Sequence, residues 1–180
     1  NSDIFSVKRQ EVDESAVTDA VLKVEDSAID AFIEMRKTEG ARLKADVISR
    51  ADFILEKVAF VEEKSPQTVA DYRQRIEQKI KELLDNVQID EQRILTETAI
   101  FADKVAVDEE TVRLRSHIKQ FETLVSSSDA VGRKLDFIVQ EMNREANTIG
   151  SKAQDIEIAH TVVDIKSEIE KIREQIQNME

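Results

Sequence analysis

The sequence predicts an all-α fold in which long antiparallel helices form hairpins or a bundle. Residues that interrupt helices are scarce, since the 180 residues include three Gly and one Pro. Apolar residues recur every three or four positions over most of the chain, which is the spacing of one helix face. Many of them are Ile or Val, which are weak helix formers, so packing between helices must stabilise the fold.

The first half of the chain is predicted to be a helical hairpin at residues 13–88. Residues 1–12 lack periodicity and are expected to be extended, whereas the helical pattern begins at Asp13. Ser65 and Pro66 form the clearest boundary, because Ser is a favoured N-cap and Pro is tolerated at the first helical position. A turn near residues 65–66 would join two antiparallel helices. The apolar stripes of these helices include Val17, Val21, Val24, Ala28, Phe32 and Met35, and then Val47, Ala51, Ile54, Val58 and Val61.

The second half, residues 89–180, is predicted to be a helical domain that ends in a long coiled-coil-like helix. Shorter helices are expected between residues 90 and 125, and Ser126–Ser128 is the best candidate for a loop. If unbroken, the last helix would run over Asp129–Asn178, with a kink at Gly150. Its heptad stripe needs an antiparallel neighbour, another subunit or both. The stripe consists of Ile158, Val162, Ile165, Ile169, Ile172, Ile176 and Met179.

Composition excludes several classes of protein and site. The chain has no Cys, so it contains neither a disulfide nor a thiolate metal site. No apolar run approaches the roughly 20 residues that span a bilayer, and no signal peptide is visible. We therefore expect a cytoplasmic protein without a membrane partner, and a first residue other than Met leads us to expect a fragment. The common nucleotide-binding, metalloprotease and hydrolase motifs are missing.

The net charge of −12 argues against a general polyanion binder, but the charge is unevenly distributed. Between Thr111 and Lys152 there are seven Lys or Arg residues and five acids, so this segment carries +2 and the remainder carries −14. A locally basic zone on an acidic protein can direct a phosphate-bearing ligand to one surface. A chance fluctuation in solvated charge explains the same counts equally well.

The segment Gly132–Lys152 has two distinct helix faces. The apolar face contains Leu135, Ile138, Met142 and Ile149. The polar face contains Arg133, Asp136, Gln140, Arg144 and Asn147, with Glu141, Glu145 and Lys152 beside it. Fork-shaped donors beside carboxylates suit recognition of a polar ligand, phosphate especially. A network of salt bridges between helices explains the spacing equally well.

A second polar group lies within Glu97–His117. Arg113 and His117 are i, i+4 neighbours on a predicted helix, and Glu109 and Glu110 precede Arg113 by about one turn. Carboxylates near a histidine could bind a divalent cation through oxygen and imidazole ligands. They could also place a general acid or base beside a phosphodiester. Acids in the first turn of a helix complement its dipole without any further role.

These same residues lie in stretches that resemble the YicC/YloC family of bacterial proteins. The longest is VGRKLDFIVQEMNREANTIGSKA at Val131–Ala153. Further matches are MRKTEGARL (Met35–Leu43), DEQRILTETAIFADK (Asp90–Lys104), EETVRLRSHIKQF (Glu109–Phe121) and EIEKIREQIQNME (Glu168–Glu180). The resemblance covers nearly the whole chain from about residue 13. Because family members carry a further N-terminal domain, residues 1–12 are expected to be a remnant of that domain or a link to it.

The resemblance implies a metal-dependent endoribonuclease of bacterial RNA turnover that acts as a homo-oligomer, with a hexamer expected. Mn²⁺ or Mg²⁺ would be the cofactor and RNA the substrate, with other RNA-decay proteins as further partners. Residues 89–180 correspond to the C-terminal helical domain of the family. Where the family pattern has an acid, this chain has Ala106, so that position receives no role.

Roles are assigned on the positions that match the family pattern. Metal ligands would be carboxylates from two helices, namely Glu97, Asp103, Glu141 and Glu145. Catalytic roles are assigned to His117, Glu109, Glu110 and Glu141. RNA contacts are assigned to Arg113, Arg133, Lys134, Gln140, Arg144, Asn147 and Lys152. Two alternatives stay open: a non-catalytic RNA-binding scaffold that recruits a nuclease, and a polar stripe that only joins subunits.

Overall fold

The computed structural model describes residues 13–83, 91–127 and 131–177, and the regular secondary structure within these ranges is helical. It consists of α1 (Glu14–Leu83), α2 (Glu91–Val105), α3 (Asp108–Val125), α4 (Gly132–Lys152) and α5 (Ile156–Gln177). The all-α prediction is therefore confirmed. The predicted extended segment at residues 1–12 and the boundary near residue 88 lie outside the described ranges. None of the described helices is long and apolar enough to cross a membrane.

The chain divides into two compact units, Asn1–Arg42 and Leu43–Glu180. In the first unit, Asp13 caps α1 by accepting hydrogen bonds from the backbone N–H groups of Ser15 and Ala16, at 3.0 and 3.2 Å. The helical pattern predicted from Asp13 is thus confirmed. The large apolar side chains of this part of α1 are exposed, including Val17, Val21, Val24, Phe32 and Met35.

Helix α1 continues through Ser65 and Pro66, so the predicted turn at residues 65–66 is wrong. A proline inside a helix removes one backbone hydrogen bond and costs about 3 kcal/mol. Packing on either side of the proline offsets this cost. Val61 is fully buried on one side, and on the other Tyr72 stacks on Phe101 of α2 with ring centroids 3.7 Å apart. Tertiary contacts therefore outweigh the local preference of the Ser-Pro pair.

One hydrophobic core joins α1, α3, α4 and α5 within the second unit. Helix α4 packs against both α3 and α5. From α1 the core receives Val47, Ala51, Ile54, Val58 and Val61. From α5 it receives Ile158, Val162, Ile165, Ile169, Ile172 and Ile176. The heptad stripe of α5 is therefore buried against neighbours from the same chain.

Three ion pairs flank the contact between α1 and α5. Successive partners move forward along α1 and backward along α5, so the two helices are antiparallel. The pairs are Arg50–Glu168 at 2.7 Å, Lys57–Asp164 at 3.2 Å and Lys64–Glu157 at 2.6 Å. Hydrogen bonds from Lys171 and Arg50 hold the pKa of Glu168 below its ordinary value.

The C-terminal region forms two helices, so the single long helix expected over Asp129–Asn178 is interrupted. Helix α4 ends at Lys152, and Asp155 caps α5. The Asp155 Oδ1 atom accepts hydrogen bonds from the backbone N–H groups of Glu157 and Ile158, at 2.8 and 3.1 Å. A local N-cap after α4 thus begins a new helix and produces an αα-hairpin.

Gly150 is a contact point between these two helices and not a kink, because α4 is continuous through it. A Cβ atom at Gly150 would lie 3.0 Å from Cγ1 of Val162 on α5. Since that distance is shorter than ordinary van der Waals contact, the missing side chain lets the backbone of α4 approach α5 closely.

Candidate metal and RNA site

The first part of the site lies on α3. Glu109, Arg113 and His117 follow one another at four-residue intervals, so their side chains share one face of the helix. Arg113 forms an ion pair with Glu109 on that face. Asp108, Glu109 and Glu110 occupy the first turn, where their charges complement the helix dipole. Helix α3 therefore presents an acidic first turn followed by an arginine and a histidine.

The second part lies on α4, which is amphipathic as predicted. The apolar face is buried in the core, including Leu135, Ile138, Met142 and Ile149. Glu141 and Glu145 are four residues apart and therefore project from one side of the helix. Glu145 is only 5% exposed. Because a buried carboxylate is costly unless it is paired or binds a metal, its surroundings decide its role.

His117 of α3 meets Glu141 and Glu145 of α4 in one cluster. One imidazole nitrogen and one oxygen from each carboxylate all lie within 4.8 Å of one another. Glu145 is buried, and the other two side chains are half-buried. Within the described ranges this is the one group of three or more potential ligands at such distances. The structure thus joins two of the predicted metal ligands with the predicted catalytic histidine.

Each carboxylate of the cluster has an arginine beside it. Arg113 Nη1 lies 4.0 Å from Glu145 Oε1, and Arg144 Nη1 lies 3.7 Å from Glu141 Oε2. Both arginine side chains are more than half exposed. Arg113 is also paired with Glu109, so the two guanidinium groups balance part of the negative charge of these acids while remaining accessible to a ligand in solvent.

Lys152, at the end of α4, is one of the predicted RNA contacts, and in the structure its ammonium group is bound to two groups of the same chain. Its Nζ donates hydrogen bonds of 2.8 Å to Glu110 Oε1 and of 2.8 Å to the carbonyl oxygen of Ala106. Glu110 is 5% exposed, and its second oxygen has no hydrogen-bond partner among the described residues. Lys152 therefore joins the end of α4 to Ala106 in the link between α2 and α3 and to Glu110 in the first turn of α3.

The remaining predicted RNA contacts lie on the solvent side of α4. Arg133, Gln140 and Asn147 of the predicted polar stripe are exposed, and so is Lys134, which lies about 100° around the helix from Arg133. The Gln140 amide donates a 2.7 Å hydrogen bond to Asp136 one turn earlier. The stripe thus presents the guanidinium groups of Arg133 and Arg144 and the amides of Gln140 and Asn147 to solvent.

Glu97 and Asp103, the other predicted metal ligands, lie on α2. Both are exposed, and neither belongs to the cluster formed by α3 and α4. The structure therefore separates the four predicted carboxylates into a pair on α4 that meets His117 and a pair on α2 that does not.

Sequence reasoning missed two features of the site. It considered an imidazole ligand for a cation within Glu97–His117 but did not pair His117 with Glu141 and Glu145, because no sequence signal shows which residues of α4 lie opposite it. It also gave no role to Arg115, whose Nε and Nη2 donate hydrogen bonds of 2.9 and 2.7 Å to the two oxygens of Glu62 on α1. This bidentate pair holds the pKa of Glu62 below its ordinary value and attaches α3 to α1.

The chain matches a known protein family over two thirds of its length. The family described as endoribonuclease YicC-like, C-terminal, matches residues 61–180. A probable endoribonuclease YicC from Clostridioides difficile (strain 630) is 45% identical over 179 residues, which cover 99% of this chain and 61% of the relative. A probable endoribonuclease YicC from Haemophilus influenzae (strain ATCC 51907 / DSM 11121 / KW20 / Rd) is 36% identical over 174 residues, which cover 97% of this chain and 60% of the relative.

The chain spans about three fifths of the length of these curated relatives. The family match includes all of α2 to α5, and hence every residue of the cluster described above. The resemblance inferred from the sequence motifs is confirmed, and the chain belongs to the endoribonuclease YicC-like family.

Proposed function

We propose that this chain carries the RNA-cleaving centre of a metal-dependent endoribonuclease, formed by His117, Glu141 and Glu145. The observation that carries the proposal is the convergence of one imidazole and two carboxylates from two helices. The names of the relatives, which are probable endoribonucleases, support RNA as the substrate. Because RNA turnover takes place there, we expect the protein in the cytoplasm.

The donor set suits a divalent cation of the first transition row. Imidazole and carboxylate together are ligands for Mn²⁺, whereas Mg²⁺ prefers oxygen ligands and bound water. We therefore favour Mn²⁺ over Mg²⁺, with His117, Glu141 and Glu145 as its ligands. When bound, the ion would activate water and neutralise charge that develops on the phosphodiester. This assignment uses His117 as a ligand and leaves Glu97 and Asp103 outside the centre.

Arg113 and Arg144 are proposed to bind the phosphates on either side of the scissile bond. In the protein alone each guanidinium balances a carboxylate of the cluster. With a cation held by Glu141 and Glu145, Arg113 and Arg144 would be free to turn to a phosphate, which matches their fork of donors. Arg133, Lys134, Gln140 and Asn147 would extend the contact along α4. Because such contacts are made to the phosphate backbone of RNA, binding should depend weakly on RNA sequence and strongly on salt concentration.

The two remaining acids differ in their fitness for proton transfer. Glu109 is exposed and adjacent to Arg113, so it can exchange protons with solvent near the phosphate. Glu110 is buried against Lys152, so we propose that it positions α3 and takes no part in the reaction.

The proposal is tested by Mn²⁺ binding to the purified chain, measured by calorimetry. The E141Q/E145Q variant should lose binding by at least about 100-fold, because both carboxylate ligands are removed. The E97Q/D103N variant makes the same charge change on α2 and should bind Mn²⁺ like the wild type. Equal binding by E141Q/E145Q and the wild type would exclude the cluster as the metal site. RNA cleavage by the same proteins, with and without EDTA, then tests whether the bound ion supports hydrolysis.

A non-catalytic RNA-binding scaffold is the second candidate, because the polar stripe of α4 is exposed independently of the cluster. A scaffold would bind RNA in EDTA and in Mn²⁺ equally well and would leave it intact. The nuclease would cleave RNA in Mn²⁺, and E141Q/E145Q would abolish this cleavage while retaining RNA binding.

We also propose that the chain forms a homo-oligomer, with a hexamer expected. The exposed apolar side chains of α1 support this, because Val17, Val21 and Val24 form a stripe that water solvates poorly. Light scattering should show a multiple of the chain mass for the wild type and a smaller species for V21D/V24D. Charge reversal at Arg133 and Arg144 should leave the assembly intact, whereas its dissociation would show that the polar stripe of α4 joins subunits. Other RNA-decay proteins are proposed as further partners.

A further inference from the structure

A groove of about 600 Å³ lies beside α1 and α2, apart from the cluster of α3 and α4. Tyr72, Arg75 and Lys79 of α1 line one side, Phe101 of α2 lines another, and Gln154 closes the end near α4. A volume of this size matches that of ordinary small-ligand sites, which hold a few well-placed polar groups beside apolar or aromatic walls.

The aromatic wall is formed by two stacked rings. The ring centroids of Tyr72 and Phe101 are 3.7 Å apart and their planes differ by 9°. Both side chains are only half-buried, and both line the groove. A stacked pair leaves an outer ring surface on which a further planar aromatic group can stack, and a nucleobase of any sequence meets this requirement.

The charged side of the groove is formed by Arg75 and Lys79, which share one face of α1 with Tyr72 because they lie three and seven residues after it. Both are exposed. In the described part of the chain neither cation forms an ion pair, although the nearby Arg73 is paired with Glu77 at 2.9 Å. Together with Glu82, which also lines the groove, the ionised groups sum to +1 in a protein whose net charge is −12.

We propose that this groove binds a nucleotide unit, with its base stacked on the Tyr72–Phe101 pair and its phosphate held by Arg75 and Lys79. The groove would hold part of an RNA strand whose scissile bond lies at the cluster, so the inference rests on the proposed function. Gln154 lies just beyond Lys152, and α4 rises roughly 10 Å between Glu145 and Lys152. A single strand of a few nucleotides can therefore contact both places.

Tyr72 allows a direct test because it is the one tyrosine of a chain without tryptophan, so tyrosine emission reports from the groove alone. Oligouridylates of increasing length and uridine monophosphate are titrated into the chain in EDTA at low salt, with correction for absorption by the bases. We expect quenching of Tyr72 by both ligands. Tighter binding by the longer oligomers identifies an RNA strand, whereas equal affinity for the monophosphate identifies a free nucleotide as the ligand of the same site.

Substitutions on α1 provide a matched control. K79E and K81E make the same charge change on the same helix at exposed positions, and Lys79 alone lines the groove. We expect K79E and R75E to weaken oligouridylate binding, followed by fluorescence anisotropy, by about tenfold or more, and K81E by about twofold. RNA binding without quenching of Tyr72, or equal losses in K79E and K81E, would overturn the proposal.

The outcome is separable from that of the proposed nuclease. Loss of Mn²⁺ binding in E141Q/E145Q together with wild-type RNA binding in K79E would contradict the RNA-binding role of the groove and support the metal centre. The opposite result is quenching of Tyr72 and loss of RNA binding in K79E, in a chain that neither binds Mn²⁺ nor cleaves RNA. It would support the RNA-binding role of the groove and contradict the metal centre.

Discussion

Replacement of Lys152 by Met should destabilise the second unit, because it removes the cation that faces a buried carboxylate. Glu110 is 5% exposed, and within the described part of the chain its Oε2 atom already lacks a hydrogen-bond partner. Without Lys152, its Oε1 atom would lose its ion-pair partner as well. The carbonyl oxygen of Ala106 would lose its hydrogen bond at the same time.

The expected loss follows from the burial of the two partners. Removing one member of a buried ion pair costs about 3–5 kcal/mol. The Lys152 side chain is 31% exposed, so solvent screens part of the interaction, and we expect about 2 kcal/mol from the pair. The hydrogen bond to Ala106 adds about 1 kcal/mol. A total of about 3 kcal/mol would lower the urea midpoint by about 1–2 M.

Urea unfolding followed by circular dichroism measures this loss. Lys134 provides the control, since it lies on the same helix, is exposed, and forms no ion pair within the described residues. K134M should therefore change the free energy of unfolding by less than about 0.5 kcal/mol. The E110M/K152M variant should recover most of the loss, because two apolar side chains leave no buried charge. A K152M protein as stable as K134M would refute this account of the pair.

Three further predictions concern the fold. P66A should raise the free energy of unfolding in urea by about 1–3 kcal/mol, because α1 is continuous there; a loss of stability would support a turn at residues 65–66. G150A should be destabilising, because overpacking against Val162 costs about 1–3 kcal/mol and exceeds the helix-propensity gain of about 1 kcal/mol. In a double-mutant cycle the loss should shrink in a V162A background, and additive losses would exclude the contact. The Glu62–Arg115 pair should contribute stability above the ordinary pKa of 4.5, and this contribution should disappear as the pH falls through the lowered pKa of folded Glu62. Thermal melts between pH 6 and 3 should therefore show a steeper loss for the wild type than for R115M, and parallel losses would contradict this linkage.

The sequence predicts the fold best where the apolar face of a single helix can be identified from residue spacing. The spacing of Val47, Ala51, Ile54 and Val58 and the heptads of α5 identify faces that are buried in the structure. The equally periodic stripe from Val17 to Met35 is exposed, because periodicity shows which face is apolar but not what packs against it. The Ser65-Pro66 pair misleads, since a local preference worth a few kcal/mol is outweighed by packing that involves α2, α3 and α5. The cap at Asp155 was missed, although the apolar spacing changes there: nine residues separate Ile149 of the α4 stripe from Ile158, where the heptads of α5 begin.

The candidate site shows the same division. The i, i+4 spacing of Glu141 and Glu145 is visible in the sequence, and so is that of Glu109 and Arg113. The meeting of His117 with the two glutamates depends on how α3 packs against α4, which no local pattern contains. For Lys152 the sequence suggests a side chain that faces solvent, but the structure shows two hydrogen bonds to residues more than 40 positions earlier in the chain.

The three ion pairs between α1 and α5 have a consequence for the alignment of the two helices. A heptad stripe is nearly unchanged by a slip of seven residues, so apolar packing alone would accept more than one alignment. The acids on α5 are spaced by seven and four residues, whereas the cations on α1 are spaced by seven and seven. A seven-residue slip in one direction would place Lys64 against Asp164 but Lys57 against Lys171 and Arg50 against Gln175. A slip in the other direction would place Lys57 against Glu157 but Arg50 against Thr161. Each slip therefore keeps one oppositely charged pair, whereas the observed alignment keeps all three, so the pairs contribute little stability individually but together favour the observed alignment.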